Sequence, residues 1–542
     1  MYLIRLFCLS VALMPLFGLG QIQVPAQNAR LNYLHIPFQW DSLATDEFEL
    51  EIAEDVDFGK VVFRQKTTRA RLVVREKLAF GKTYFWRAKP SKFVHRFFTQ
   101  SCSKVNPDLW RHQIVQNRTS IRDNWLICVD KPGVIIDLKG RPVWFHPDTT
   151  IKRFFDLRIL PNGHIAYLRA RGQKEGNENL LFEEITPDGQ LIWQGPNRGE
   201  VSGLDSERYH HAYQILPNGH YLLAGDEFVK KELPNGKGPV LARLGTLLEY
   251  DQQGDLVWSW KSSEHLSEQR IFSNRQDNNP IHLNGFHQAP GQPHIYASFR
   301  YLNEVFVIDK KDGKIIETEK GPFQAQHSPT VEGKTLWLYD NRSGKDGDTI
   351  SSVLALNLET DSSTRFQLDF GDRRNSWSKS KGDVDILGKV QLLACMGSVP
   401  RTVLIDQGKG IIWEALHQFR EHPDQPWAGV IANYRAHASR SLFPEEEGIP
   451  IPPTFRVEVV ENGRKGSFRI THLGGSPSPM VYQIGDGQEI FLEGRTVGLK
   501  KDWSADVPFK IKGKQWKQAQ QVELVITPRY FPQQAFWYPL RD

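Results

Sequence analysis

Cysteine and methionine are scarce in this chain, with four of each among 542 residues. Cys8 sits in an N-terminal apolar run. That leaves Cys102, Cys128 and Cys395, with no C-x-x-C pair and no zinc-ligand spacing, so a disulfide-dense scaffold and a cysteine-bound structural metal are both excluded. One disulfide, between Cys102 and Cys128, is compatible with an oxidising compartment, while Cys395 in QLLACMGS reads as a buried strand residue. Beyond the N-terminus no stretch approaches 18 uninterrupted apolar residues, so no membrane span is expected. Blocks of like charge are missing as well. The 68 basic and 63 acidic residues are interspersed to a net charge of +5, which does not imply a nucleic-acid partner. Nor is there a G-x-x-x-x-G-K-[ST] phosphate loop.

What the chain does have is aromatic rings and turn residues: 15 Trp, 31 Phe, 43 Gly and 32 Pro. That profile suits many short strands joined by tight turns, and the length calls for two or three domains, so an all-β, multidomain protein is expected. Arg5, the apolar run Leu6 to Leu19 and the small-residue exit Gly18-Leu19-Gly20 read as a signal peptide over residues 1–20. The expected location is therefore periplasmic or secreted.

Residues 28–99 alternate apolar and polar in short runs (HIPFQW, EFELEIA, KVVFRQK, ARLVVRE, TYFWRAK, HRFFT), which is the strand density of a sandwich. The placement of Trp40, Tyr84 and Trp86 resembles a fibronectin type III module. From 110 to 445 a hairpin recurs: IIDLKGRPVW, ITPDGQLIW, YDQQGDLVW, IDKKDGKIIE and IDQGKGIIW, with glycines at 140, 189, 254, 313 and 410 and a frequent closing Trp. LALNLETDSSTRFQL, turning near Asp361, fills the long interval before Gly410. A second unit opens most repeats, as in LRILPNGHIAYL, YQILPNGHYLLAG and SPTVEGKTLWLYD. Pairing openers with hairpins gives about four strands per repeat and six repeats, a six-bladed β-propeller. PEEEGIPIPPTF is a proline-rich hinge, and a small β-domain follows over 455–542.

Loops that enter the inner strands of a propeller converge on one mouth, so residues far apart in sequence can share one site. His210 and His211, His282 with Asn284, and His327 precede inner strands of consecutive repeats, and Arg300 closes the strand PHIYASFR, taken as an inner strand. Imidazoles, a carboxamide and a guanidinium with no carboxylate among them suit an anionic tetrahedral group, a sulfate or phosphate ester, better than a divalent metal. His164, His220 and His294 read as turn or surface residues, and Asp340-Asn341 as a turn.

At these residues the chain resembles the bacterial arylsulfate sulfotransferase family, through HHAYQILPNG, HLNGF, the ASFR-x-x-NEVFVID segment, the QH and LWLYDNRS segments, and NYRAHASRSLFP around Arg435. The resemblance covers roughly residues 110–445 and implies an exported six-bladed propeller that uses neither a cofactor nor a nucleotide sulfate donor. Such an enzyme moves a sulfuryl group from an aryl sulfate to a phenolic acceptor through a sulfohistidine. It implies His327 as nucleophile, His211 and His282 as assisting groups, Arg300 and Asn284 as ligands of the sulfuryl oxygens, and His210 close by. A homodimer is among the expected assemblies. The competing reading is a non-catalytic secreted propeller that binds a glycan or protein, with an enzyme acting on a polysaccharide as a third.

Overall fold

The computed structural model describes residues 24–40, 47–120, 123–170, 180–289, 291–344 and 347–443, then 445–446, 449–450, 454–474, 480–485, 490–492, 496–497, 504–528 and 536–541. The expected signal segment lies outside these residues, as does half of the proline-rich hinge. No helix among the described residues is long and apolar enough to cross a membrane.

The N-terminal region forms seven strands between Ala29 and Thr99. Five make one sheet in the order first, seventh, sixth, third, fourth, and the second and fifth pair separately. Between them lie Phe38, Trp86 and Phe97, each fully buried and in edge contact through Phe38, with ring centroids 5.3 and 5.7 Å apart. Trp40 and Tyr84 belong to the same core, as the alternation of their strands requires.

The middle of the chain is a succession of antiparallel meanders. The second runs Phe154–Ile159, Ile165–Ala170, Leu180–Ile185 and Leu191–Gln194. The third runs Tyr209–Ile215, Tyr221–Glu232, Pro239–Tyr250 and Leu256–Lys261, and is joined to the second where Leu180 pairs with Tyr209. The fourth comprises Leu283–Gln288, His294–Phe299, Glu304–Asp309 and Ile315–Glu319, and the fifth His327–Glu332, Thr335–Asp340, Ser352–Asn357 and Ser363–Gln367. The strands on either side of Asp361 are thus the two predicted for the long interval, and Asp361 itself turns at φ 55°.

The first and sixth meanders each borrow a strand from the other end of the segment. Leu126–Val129, Val134–Asp137 and Pro142–Phe145 are completed by Ala438–Ser439. The sixth, Asp383–Leu387, Gln391–Cys395, Arg401–Asp406 and Gly410–Phe419, takes Trp110–Asn117 along its last strand. That borrowed strand runs over the hairpin of the first meander, where a side chain at Gly140 would lie 2.3 Å from the His112 carbonyl oxygen. Only glycine, at φ 78°, allows this approach.

The recurring tryptophans have a structural task. Each donates its indole N–H to a carbonyl in the outer hairpin of the next meander: Trp144 to Pro187 (2.7 Å), Trp193 to Gln252 (3.2 Å), Trp260 to Gly313 (2.9 Å), and Trp413 of the sixth back to Leu138 of the first (2.8 Å). In the third meander the linking residue is Trp260, two positions past the Trp258 of the sequence pattern.

Arg435, on the segment that leads into Ala438–Ser439, joins the first strands of the other meanders. Its guanidinium donates to the backbone oxygens of His211 (3.0 Å) and Asn284 (2.9 Å) and to the Ser328 hydroxyl, and pairs with Asp156 and Asp383, both at 3.2 Å. Arg435, Asp156 and Asp383 are all buried. Removing one partner of such a network leaves uncompensated buried charge, so Arg435→Met is expected to cost about 3–5 kcal/mol. Chemical denaturation followed by tryptophan fluorescence would read the loss, and an unchanged midpoint would refute this role.

Cys102, Cys128 and Cys395 are free thiols in the structure, so the disulfide that the sequence leaves possible is not formed there. Strand alternation explains why. Cys128 points with Leu126 into one core cluster, whereas Cys102 packs against the opposite face, with Ile127 and Val129. Cys395 is buried on a strand, as expected. The C-terminal region has the five predicted strands, Thr454–Glu461, Lys465–Gly474, Met480–Gly485, Ser504–Lys510 and Val522–Pro528, around a core that includes Phe468, Ile484 and Leu524.

Candidate active site

The first strands of the second to fifth meanders share one irregularity. Each carries a register shift against its neighbour near its start: between Phe155 and Arg158, Tyr209 and Tyr213, Leu283 and Gly285, and His327 and Thr330. A bulge inserts unpaired residues and re-aims their side chains. Asp156, His210 and His211, Asn284 and Ser328 occupy these positions. The backbone is strained there too, with positive φ at Asp156 (59°), His282 (55°) and Ser328 (54°).

The bulge in the third meander explains how two consecutive histidines face the same place. Regular alternation would send them to opposite faces, yet the His210 and His211 rings lie 3.6 Å apart, centroid to centroid. The His282 ring is 5.0 Å from His210 and 6.0 Å from His211. Tyr434 stacks on His211 at 3.8 Å and lies 6.5 Å from His327. The structure therefore brings together the four histidines assigned from sequence.

His327 is the first residue of its strand and is buried. Its Nδ1 lies 2.6 Å from Asn341 Oδ1 and 3.0 Å from the Ala325 carbonyl oxygen. The Asn341 amide orientation follows from its Nδ2, which donates to the Ser378 and Lys381 carbonyl oxygens at 2.7 and 2.8 Å. Both neighbours of Nδ1 are thus acceptors, so the ring proton resides on Nδ1. Nε2 keeps its lone pair and accepts the Lys381 backbone N–H at 3.2 Å. Burial, followed by the Arg300 guanidinium, holds the imidazole well below its usual range. The ring is neutral at ordinary pH.

The other rings are neutral for related reasons. Burial, then Arg243, depresses His210, and burial, then His210 and Arg435, depresses His211. Removal from water, then Arg243 and Arg300, brings His282 down to about 3. His211 Nε2 shares a 2.6 Å hydrogen bond with the Tyr434 hydroxyl, whose own proton burial holds well above the usual phenol range. Among the described residues His210 has no hydrogen-bond partner at either ring nitrogen, so His210 and His211 differ in their surroundings.

Arg300 follows the second strand of the fourth meander, His294–Phe299, and not an inner strand as the sequence suggested. It still reaches the site, because that strand returns beside the first: the Arg300 N–H donates to the His282 carbonyl oxygen at 3.0 Å. One guanidinium nitrogen donates to the Lys379 carbonyl oxygen (2.8 Å), while buried Nε has no partner. Asn284 is tied through Nδ2 to the Gln326 carbonyl oxygen at 2.6 Å, and its buried Oδ1 is unpaired. A cavity of about 1030 Å³ adjoins the site, meeting it through Arg300, Tyr301 and Ala325.

Two residues outside the sequence assignment belong to the site. Tyr434 precedes Arg435 in NYRAHASR, and Asn341 reads from sequence as a turn residue. A signal for Asn341 was its place right after an apolar strand, where its amide is buried. The histidines set aside do lie elsewhere. His164 pairs with Glu184 and His220 with Glu249, each at 2.7 Å; His164 follows directly on a turn, one of the two settings expected, and is buried there.

Among the described residues, His210, His211 and His282 form one group that could hold a metal ion, with ligand atoms within 4.8 Å of one another. The neutral rings suit a metal, but the nearby Arg243 and Arg435 guanidiniums oppose a cation. The same field favours an anion.

Residues 182–420 match the family described as arylsulfotransferase (ASST). No curated protein sequence matches the chain. Similar solved structures include the WD40 domain of Pan2 from Neurospora crassa, at 11% identity over 60% of this chain and 84% of that one, with TM-score 0.32. Others are BamB from Moraxella catarrhalis (10%, covering 76% and 96%, TM-score 0.27) and the β-propeller domain of Cps50 (Swd1) from Myceliophteria thermophila (15%, covering 59% and 92%, TM-score 0.31).

Proposed function

We propose, from the match of residues 182–420 to the arylsulfotransferase family, that the protein transfers a sulfuryl group from an aryl sulfate to a phenol, without a nucleotide sulfate donor, through a sulfohistidine at His327. The observation that carries this is the hydrogen bonding of His327, which places the proton on Nδ1 and the lone pair on Nε2.

In the first half-reaction Nε2 attacks sulfur in line with the S–O bond to the aryl group. That bond breaks, and the aryloxide leaves with its electron pair. The ring is then an N-sulfoimidazolium whose remaining N–H is held by Asn341 and Ala325, two acceptors that stabilise its positive charge. Arg300, the second N–H of Asn284 and His282 hold the sulfuryl oxygens. The aryloxide leaves unprotonated, and in the second half-reaction neutral His211, linked to the Tyr434 hydroxyl at 2.6 Å, takes the acceptor phenol's proton through that hydroxyl and releases it to solvent. The acceptor oxygen then attacks sulfur, and the S–N bond breaks to restore the neutral imidazole.

The same proposal reads residues 110–445 as a six-bladed propeller, 28–99 as a fibronectin type III-like sandwich and 455–542 as a separate small β-domain, on an exported protein. Support comes from the tryptophan bonds that join the first meander to the second, the second to the third, the third to the fourth, and the sixth back to the first. Incubating the protein with nitrophenyl sulfate, with and without a second phenol, and then acid-free trapping of peptides tests the reaction. Acceptor-dependent nitrophenol release and a sulfated peptide containing His327 are expected. Tight binding of a sulfated ligand with no turnover would sink the enzyme reading.

A further inference from the structure

The cavity beside the site is larger and more cationic than a simple phenyl sulfate needs. At about 1030 Å³ it stands at the upper end of the range for drug-sized ligands, roughly 300–1,000 Å³. Arg275, Arg300, Arg342 and Lys379 line it, and among the described residues no carboxylate does.

The cations differ in how far they are already neutralised. Arg342 is matched by Asp340 and Asp348, and so adds little. Arg275 pairs with Asp277, but both side chains are about two-fifths exposed, a setting in which ion pairs are weak. Among the described residues Arg300 and Lys379 make no ion pair, and Arg300 Nε is buried without a partner. Two aromatic faces share the walls. Tyr301 carries the Arg275 guanidinium 4.0 Å from its centroid, and Trp377 is anchored by a 3.0 Å hydrogen bond to the Asn341 carbonyl oxygen. The walls thus offer uncompensated positive charge beside two aromatic side chains, and they meet the His327 pocket at Ala325, whose carbonyl oxygen lies 3.0 Å from His327 Nδ1.

We propose that this cavity binds an aromatic substrate through a second anionic group, a carboxylate or sulfate, remote from the oxygen that carries or receives the sulfuryl group. The proposal rests on the transfer reading above. In a double displacement the donor aryl group and the acceptor occupy the same place in turn, so both are selected by this charge.

Three acceptors with the same phenol head test it: 3-(4-hydroxyphenyl)propionate, its neutral amide, and cationic tyramine. With a fixed donor at low ionic strength, kcat/KM is expected to be about tenfold higher for the acid than for the amide and lowest for the amine, and the spread to narrow at high salt. The double variant Arg275→Ala, Lys379→Ala should level the series while the amide keeps its rate. Equal rates for the three in the unaltered protein would overturn the proposal. Calorimetric titration of acid and amide into His327→Asn protein separates this outcome from failure of the transfer reading. Preferential binding of the acid alongside absent turnover in the unaltered protein keeps the cavity assignment and removes the transferase. Equal binding removes the cavity assignment.

Discussion

His327→Asn protein is expected to release no nitrophenol from nitrophenyl sulfate above background, a loss of at least about 10⁴-fold, and to yield no sulfated peptide. Asparagine is the informative replacement because its amide N–H can donate where Nδ1–H does, toward Asn341 Oδ1 and the Ala325 carbonyl oxygen. The hydrogen bonds at Nδ1 are kept, and what is lost is the lone pair on Nε2 together with the bond it accepts from the Lys381 N–H. A thermal midpoint close to that of the unaltered protein should accompany the inactivity. The pH dependence gives a second check on the same atom. Burial and Arg300 hold the His327 ring well below the usual imidazole range, so the neutral nucleophilic form persists as pH falls through 6.5. The unaltered enzyme should therefore keep its kcat/KM on the acid side of that value, where an ordinary histidine would be protonated and inactive. Normal nitrophenol release by His327→Asn would remove the nucleophile assignment.

Much of the strand order could be read in the chain, because turn chemistry leaves a local trace. The hairpin glycines at 140, 189, 254, 313 and 410 all adopt positive φ, and the strands on either side of each fall where the alternation placed them. The histidines were legible for a related reason: each stands at or near the start of a first strand, where a repeat otherwise carries apolar residues. What was not legible depends on partners distant in sequence. The bulges that turn His210 and His211 to one side are registers between strands, and nothing in YHHAYQIL distinguishes a bulged strand from a regular one. The apolar PHIYASFR suggests an inner strand ending at Arg300, but the strand before it, LNGFHQ, is the one that borders the neighbouring first strands. Arg435 and Tyr434 lie more than two hundred residues from the His211 atoms they bond, and the tie becomes visible only once Ala438–Ser439 returns to complete the first meander.

Asn341 provides the second large effect, because it acts on the chemistry only through the proton of another residue. Its Oδ1 accepts the Nδ1–H of His327 at 2.6 Å, while its own amide hydrogens are spent on Ser378 and Lys381. Asn341→Leu removes that acceptor from a buried ring and leaves the Ala325 carbonyl oxygen as the remaining partner of Nδ1. The tautomer with the proton on Nε2 then gains population, and in that form the nucleophilic lone pair faces away from the substrate. A fall in kcat of roughly 10²–10⁴-fold is expected, with KM for the donor little changed, since the groups proposed to bind the sulfuryl oxygens are untouched. Asn341→Asp distinguishes this from simple loss of packing. A carboxylate accepts the same Nδ1–H and keeps the productive tautomer, but its negative charge raises the proton affinity of the ring. Activity should recover in part relative to Asn341→Leu, and the acid limb of the pH profile should move to higher pH. If Asn341 only fills space, the two variants should lose activity alike and neither limb should shift.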